Sequence, residues 1–374
     1  MVWRDVSVMD QREEFVMLAR LEGANISQLC SGFGISRQTG YVWLKRLQAG
    51  EPASDRSRRP HCSPLRTSDD LERSVLDIRD EHPAWGARKI ARRLRDLSIE
   101  PPSASTVHAI LSRHDRISLR MKGQAAPGHF EREAPNLLWQ MDFKGRIQLT
   151  GGHWCHPLTI IDDHSRFAIG IEACMDEQLQ TVRARLEVIL RHYGLPLAIY
   201  CDNGPPWGTG MDSRWTRLRV WLLKLGIDLI YSRPYHPQGR GKNERFHRSL
   251  KAEVLDFAML TSQRQAQRAF DRWRETYNHH RPHQGIGMAV PASRYTPSTR
   301  PFPKRLPTPV YGSDETVRRV GTNKGYISFK GRNCRVPNAF QSETVAIRAL
   351  DKDGLYGVFF GATNIAKIDL TKPD

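Results

Sequence analysis

Cysteine is scarce in this sequence: six thiols in 374 residues (Cys30, Cys62, Cys155, Cys174, Cys201, Cys334), with no C-x-x-C pair among them. That scarcity argues against a disulfide framework and for reduced, mostly buried thiols. The nearest approach to a metal cluster, His153-Trp154-Cys155-His156, has its donors too close along the chain to close a tetrahedral site by themselves. Long apolar runs are missing too, since none approaches the roughly 20 residues needed to span a bilayer. The start, Met1-Val2-Trp3-Arg4-Asp5, lacks a secretory pattern, so no membrane partner and a cytoplasmic location are expected. Acidic residues are the third shortage. Asp plus Glu number 40 against 57 Lys plus Arg, a net charge of +17. Such an excess attracts polyanions, nucleic acid first among them, through counterion release; a nucleoid-associated protein is expected.

The length accommodates several domains of ordinary size, about 100–150 residues each. Residues 1–50 read as a helix-turn-helix domain, with helices Ser27 to Phe33 and Arg37 to Gln48 separated by Gly34-Ile35-Ser36. Ser36 is placed to cap the last helix, and Val42, Leu44 and Leu47 give it an inward side. Arg37, Gln38, Tyr41, Lys45 and Arg46 are left to reach a DNA groove. Residues 51–67 form a breaker-rich, basic linker able to lie along phosphates. Residues 68–120 repeat the helical theme. Leu71, Val75 and Ile78 keep a helical period behind Ser68, and a later helix has Ile90 and Leu94 inward with Arg88, Lys89, Arg92, Arg93 and Arg95 outward. Two such units in tandem read a longer DNA site than one, with Arg88, Lys89 and Arg92 as contacts.

From residue 130 to 296 strands and helices alternate. Leu137–Phe143, Leu158–Ile161, Arg166–Glu172, Ala198–Cys201 and Ile227–Tyr231 read as strands of one sheet; Glu177–Tyr193 and Arg214–Leu225 read as helices. Antiparallel strands first, then alternating helices and strands, predict an α/β ribonuclease H-like layer arrangement. Residues 310–374 carry six short strands between Gly- and Asn-containing turns, which predicts a small β-barrel. The expected fold class is therefore multidomain: N-terminal all-α helix-turn-helix units, a central α/β core and a C-terminal small β-barrel.

Three carboxylates stand out in that core: Asp142 within the apolar run Leu137-Leu138-Trp139-Gln140-Met141-Asp142-Phe143, Asp202 after Leu197-Ala198-Ile199-Tyr200-Cys201, and Glu244 in Lys242-Asn243-Glu244-Arg245. An acid inside an apolar strand is unfavourable to bury unless a metal or hydrogen bonds compensate it. Phosphodiester cleavage needs two divalent ions about 3.5–4 Å apart, held by rigid oxygen ligands, and carboxylates from two strands and a helix supply them. If Gly241 onward is helical, Phe246, Leu250 and Val254 form its buried stripe and Glu244 faces away from it. Arg248 and Lys251 then lie within about 40° of Glu244 at 100° per residue, placed with Lys242 to hold DNA phosphates. A surface ion pair between Glu244 and Arg248 is the structural alternative. Asp162 and Asp163 compete as acids, but before His164-Ser165-Arg166 they read as turn formers. His236 and Gln238 are further candidate DNA contacts.

Trp139-Gln140-Met141-Asp142, Ile161-Asp162-Asp163-His164-Ser165-Arg166, Asp202-Asn203-Gly204, Tyr235-His236-Pro237-Gln238-Gly239 and Asn243-Glu244-Arg245-Phe246-His247 come in that order. The succession resembles bacterial insertion-sequence transposases of the DDE, retroviral-integrase type, and Tyr277-Asn278 with Arg281-Pro282-His283 resembles the segment that follows their core. The interval after Asp202, Pro205 to Asp212, is longer than the usual retroviral spacing. The resemblance implies that Asp142, Asp202 and Glu244 are the catalytic triad and bind two Mg2+ ions, with Mn2+ able to substitute. It implies cleavage at the ends of an insertion sequence and strand transfer into target DNA by at least a dimer. The rival readings are a catalytically inactive sequence-specific DNA-binding regulator and a ribonuclease H-like nuclease that cuts without joining.

Overall fold

A computed structural model of the chain describes residues 7–56, 66–117, 131–208, 215–232 and 241–372. The chain forms two compact units, Met1–Arg66 and Thr67–Asp374.

The first unit is a trio of helices, α1 (Val8–Ala19), α2 (Ile26–Gly32) and α3 (Arg37–Gln48). Each starts at a side-chain cap: Ser7 accepts from the Asp10 amide, Asn25 from those of Ser27 and Gln28, and Ser36 from that of Thr39. Phe15, Val16, Cys30, Trp43 and Leu44 make the core. The inward side expected of α3 is off by one residue: Val42 is 51% exposed and Trp43 is buried in its place. Gly40 permits this packing, because a Cβ there would lie 2.5 Å from the Cys30 sulfur. The linker expected from residue 51 begins as part of this unit. Arg12 donates to the Ala53 carbonyl at 2.7 Å and pairs with Asp55 at 2.8 Å, so residues 51–56 are tied back onto the helices; residues 57–65 of the linker lie outside the described residues.

The second unit opens with another trio, α4 (Asp69–Glu81), α5 (Ala87–Asp96) and α6 (Ala104–Arg113), around Val75, Ile78, Trp85, Ile90, Leu94, Val107 and Ile110. The α/β core follows in the order β1 (Trp139–Phe143), β2 (Ile147–Gln148), β3 (Trp154–Asp162), β4 (Ala168–Cys174), α7 (Leu179–Tyr193), β5 (Ala198–Cys201), α8 (Arg217–Lys224), β6 (Asp228–Tyr231), α9 (Gly241–Leu250) and α10 (Gln263–His279). β3 pairs antiparallel with β1, β2 and β4, while β1, β5 and β6 run parallel. One face of the sheet is covered by α7 and α8 over Met141, Leu158, Ile160 and Ile199. The other is covered by α9 and α10 over Ile161, Ala168 and Ile171. Antiparallel strands followed by a parallel βαβ unit, with helices on both faces, are the layers expected from the sequence. The short β2 escaped sequence reading because two residues carry no period.

The C-terminal strands are β7 (Thr316–Arg319), β8 (Tyr326–Phe329), β9 (Arg332–Arg335), β10 (Thr344–Ala349), β11 (Leu355–Phe360) and β12 (Thr363–Asp369). They do not close into the expected barrel. Among the described residues they form a four-stranded sheet, β12-β11-β10-β7, and a separate β8-β9 ribbon, packed over a shared core that includes Ile327, Phe329, Val345, Ile347, Val358 and Phe360. At the junction the Arg318 side chain, rather than a strand ladder, donates to the Ser328 carbonyl at 3.1 Å. Helix α8 lends Val220 to the same core, and Lys224 pairs with Glu343 at 2.6 Å. Among the described residues no helix is long and apolar enough to cross a membrane.

Candidate active site

The sheet brings the first two carboxylates level. β1 and β5 are parallel neighbours with Trp139 beside Ile199 and Gln140 beside Tyr200. Carrying that register two residues further sets Asp202, just past the end of β5, alongside Asp142. Side chains alternate along a strand: Trp139 and Met141 enter the core under α7 and α8, so Gln140 and Asp142 point to the face that α9 covers. Helix α9 meets that face directly. His247 Nε2 is 2.7 Å from the Thr159 hydroxyl, which donates to the Asp142 carbonyl at 2.9 Å, and Thr159 is the cross-strand partner of Asp142. Burial first, then the nearby Lys144 charge, lowers the His247 pKa to about 4, so the ring is neutral at neutral pH. Glu244 is three residues earlier on α9 and close to the same side of the helix.

Phe246, Leu250 and Val254 are buried, as the helical stripe predicts, and Glu244 is exposed. Its carboxylate has no ion pair or hydrogen bond among the described residues, so the ion pair with Arg248 is not formed. Among the described residues no three His, Cys, Asp or Glu side chains are gathered as a metal centre. What the fold supplies is two acids on adjacent parallel strands and a third on the helix packed over them. The donor set is all carboxylate oxygen, suited to hard divalent cations and not to zinc held by thiolates. Cys155, in the short His-Cys-His run, is buried with its thiol pushed up to about 11.

Asp162 and Asp163 are spent on structure. Both are 0% exposed. Asp162 accepts from the Ser165 amide and hydroxyl at 2.8 and 2.6 Å and from the Asn136 amide at 2.8 Å. Asp163 accepts from the Arg132 amide at 2.9 Å, from Gln140 Nε2 at 2.7 Å and from Lys242 Nζ at 2.6 Å. The last bond fastens the start of α9 to the β3–β4 turn. Lys242, expected on DNA, is thus committed within the protein, and burial lowers its pKa despite the partner. The sequence held no signal for this pairing, which joins residues far apart along the chain.

The other basic candidates divide in the same way. Arg37, Gln38, Tyr41 and Lys45 are exposed on one helix, as a groove reader requires, and so is Arg88 on α5. Arg46 is not free as expected. Its guanidinium lies 4.2 Å over the Trp43 ring, pairs with Glu51 at 3.0 Å and donates to the Ser54 carbonyl at 2.9 Å. Arg92 pairs with Asp96 at 2.8 Å, and Lys251 pairs with Asp256. Lys89 turns inward, 3.9 Å from Glu253, with its pKa lowered to about 8 by burial and then by Arg281. Arg248 is exposed beside Glu244. His236 and Gln238 lie outside the described residues, as do the later residues of the Pro205–Asp212 interval. Its first part is anchored by Trp207, which is buried, stacks on Phe143 at 5.4 Å and accepts from the Tyr231 hydroxyl at 2.8 Å.

Residues 132–237 and 225–291 match two families described as integrase core domains. Residues 315–374 match the C-terminal domain of the IS481 family transposases, residues 11–61 a helix-turn-helix domain, and residues 39–111 a homeodomain-like domain. The chain is 27% identical over 231 residues to an uncharacterized 39.2 kDa protein of insertion element IS476 from Xanthomonas euvesicatoria, covering 59% of this chain and 63% of that protein. It is also 27% identical over 245 residues to an uncharacterized 31.7 kDa protein of insertion element IS407 from Burkholderia multivorans, covering 59% and 86%. Among solved structures, the simian T-cell lymphotropic virus intasome in complex with a PP2A regulatory subunit matches with a TM-score of 0.40 at 16% identity, covering 80% of this chain and 96% of that one. The integrase-core matches, the IS481-type C-terminal match and the insertion-element relatives together support a bacterial insertion-sequence transposase of the DDE, retroviral-integrase superfamily.

Proposed function

We propose that the chain cuts and joins DNA at the ends of an insertion sequence, with Asp142, Asp202 and Glu244 as its catalytic carboxylates. What supports this reading is the parallel pairing of β1 with β5, whose register continued by two residues would bring Asp202 level with Asp142, together with Glu244 on α9, exposed and without an ion pair among the described residues. The three side chains would hold two Mg2+ ions, or Mn2+ in their place, and such ions supply charge stabilisation to the attacking and departing oxygens of an in-line displacement at phosphorus. The reaction is two displacements. A water oxygen replaces the 3′ oxygen at the element end, and the 3′-hydroxyl so released replaces a bridging oxygen in target DNA; each attacking oxygen sheds a proton and each departing one gains a proton. The protein's part is positioning. Thr159, His247 and the Lys242–Asp163 pair seat α9 against β1, and the exposed row Arg37, Gln38, Tyr41 and Lys45 reads the end sequence. Residues 310–374 grip flanking DNA, and joining two ends together requires at least a dimer working at the nucleoid.

The test is a Mg2+-dependent assay on labelled end DNA. Joined strands from the native chain, and neither nicks nor joined strands from Asp142→Asn with end binding retained, are the expected results. Nicks without joining would make the chain a nuclease, and full activity in the variant would remove the site assignment.

A further inference from the structure

Helix α9 carries two faces of interest, and the second, that of Arg245, Arg248 and Ser249, opens on a cleft of about 210 Å³. Its walls bring together Lys89 from α5, Arg245, Arg248 and Ser249 from α9, Glu253 from the turn of π-helix that continues it, and Arg281 from beyond α10. The floor is fixed. Arg281, 8% exposed at its side chain, pairs with Glu253 at 2.8 Å and donates to the Ser249 hydroxyl at 2.9 Å. Lys89 also lies 3.9 Å from Glu253, so this one acid faces four cations: Arg281, Lys89, Arg245 and Arg248. Neither Arg245 nor Arg248 has an ion pair among the described residues, and both are exposed. Lys89 is mostly buried there at 21% exposure. Its pKa is depressed to about 8 by burial and then by Arg281 and Arg245, against the pull of Glu253. His283, also on the wall, is neutral at ordinary pH because burial and the same cations lower it to about 3. Like charges crowded into a partly desolvated cleft repel one another, and an anion relieves them.

The geometry points to this cleft as a seat for consecutive phosphates of a DNA strand, bridging the second helical trio and the helix that bears Glu244. The inference rests on the reading that the chain acts on DNA, and it extends that reading to residues outside the catalytic three. A strand chain of phosphodiesters fits better than a lone phosphate, because the cations are spread along α9 from Arg245 to Arg248 and across to α5, and arginine forks suit phosphate oxygens. A strand held there touches Lys89 on one side and passes the edge of α9 where Glu244 sits on the other, so binding the DNA end and seating the catalytic helix become one event.

Anisotropy of a labelled random-sequence duplex with the full chain, without metal and across a salt series, tests this separately from catalysis. Arg245→Gln with Arg248→Gln should flatten the slope of log affinity against log salt by about 1.8, at roughly 0.9 per lost phosphate contact. Affinity near 0.1 M salt should fall by on the order of tenfold. Arg→Lys at both positions should restore the slope. Arg185→Gln with Arg191→Gln, on α7, removes the same charge elsewhere and should leave it nearly unchanged. An equal drop in both Gln pairs would make the effect one of net charge, and no drop in the first would mean that DNA avoids the cleft; either result overturns the proposal. So would a mononucleotide competing as well as a duplex of equal phosphate content. Failure of strand joining with the slope change intact would instead remove the catalytic reading and leave the cleft standing.

Discussion

Two groups of acids share one sheet, and the fold treats them oppositely. Asp162 and Asp163, at the β3–β4 turn, are fully buried, and each of their four carboxylate oxygens accepts at least one hydrogen bond. Asp142 and Asp202, at the ends of β1 and β5, are only half-buried, and Glu244 on α9 is exposed without a partner among the described residues. A carboxylate saturated by amides and an ammonium has little left to offer a cation. One brought toward the surface by its own strand or helix is open to approach from solvent. The same chemical group therefore serves as a fastener in one place and as a candidate ligand in the other, and burial separates them where residue type does not.

The contrast can be broken in several ways. The largest expected effect is on chemistry: under the proposed role of Asp142 and Asp202 in holding the ions, Asn at either position should lower strand joining by at least about a thousandfold. Melting temperature should hardly move, which differential scanning calorimetry checks. The next is on stability. Asp163→Asn strands the Lys242 ammonium without its buried partner and should cost about 3–5 kcal/mol in a urea titration. Adding Lys242→Gln should recover a good part of that, because no unpaired charge then remains, whereas strand joining should stay impaired through a loosened α9. A double variant no more stable than Asp163→Asn alone would show that the pair is not what holds the turn.

A smaller effect follows from the histidines of the α9 face. His283 and His247 have folded pKa values lowered to about 3 and about 4 from an ordinary value near 6.5, burial being the first cause of each. The unfolded chain then binds more protons than the folded one between those values. Their contribution is fully present above about pH 6.5 and is lost as pH falls toward 4, at up to about 1.4 kcal/mol per pH unit for fully buried His283. A urea series from pH 7.5 to 4.5 should show this decline, and His247→Gln should make it shallower. The smallest effect belongs to the first trio. Arg46→Gln should lower the stability of that unit by about 1 kcal/mol through loss of its stacking and carbonyl bonds. Lys45→Gln, beside it and exposed, should leave stability unchanged and weaken DNA binding.

Much of the fold was legible because its signals are local. Caps such as Ser36 and Ser68, the stripe Phe246-Leu250-Val254 and the apolar strand around Asp142 each declare themselves within a turn or two of chain. Trp43 displaced Val42 from the core of the first unit because Gly40 lets α3 approach Cys30 closely, a fact of packing that periodicity does not contain. The expected barrel failed for a related reason: strand patterns predict strands, while closure depends on which edges pair, and among the described residues β8 and β9 pair only with each other.

The amino-acid order by itself singled out the candidates for chemistry, namely three acids spaced through an α/β core and a surplus of cations. Tertiary structure alone decided which of them remain available. Lys242 and Arg46 were expected to face DNA and instead meet Asp163 and Trp43 inside the protein. The physical reason is range: apolar burial is patterned over neighbouring residues, whereas a charge finds its partner through space, and residues distant along the chain become neighbours only after the core has formed.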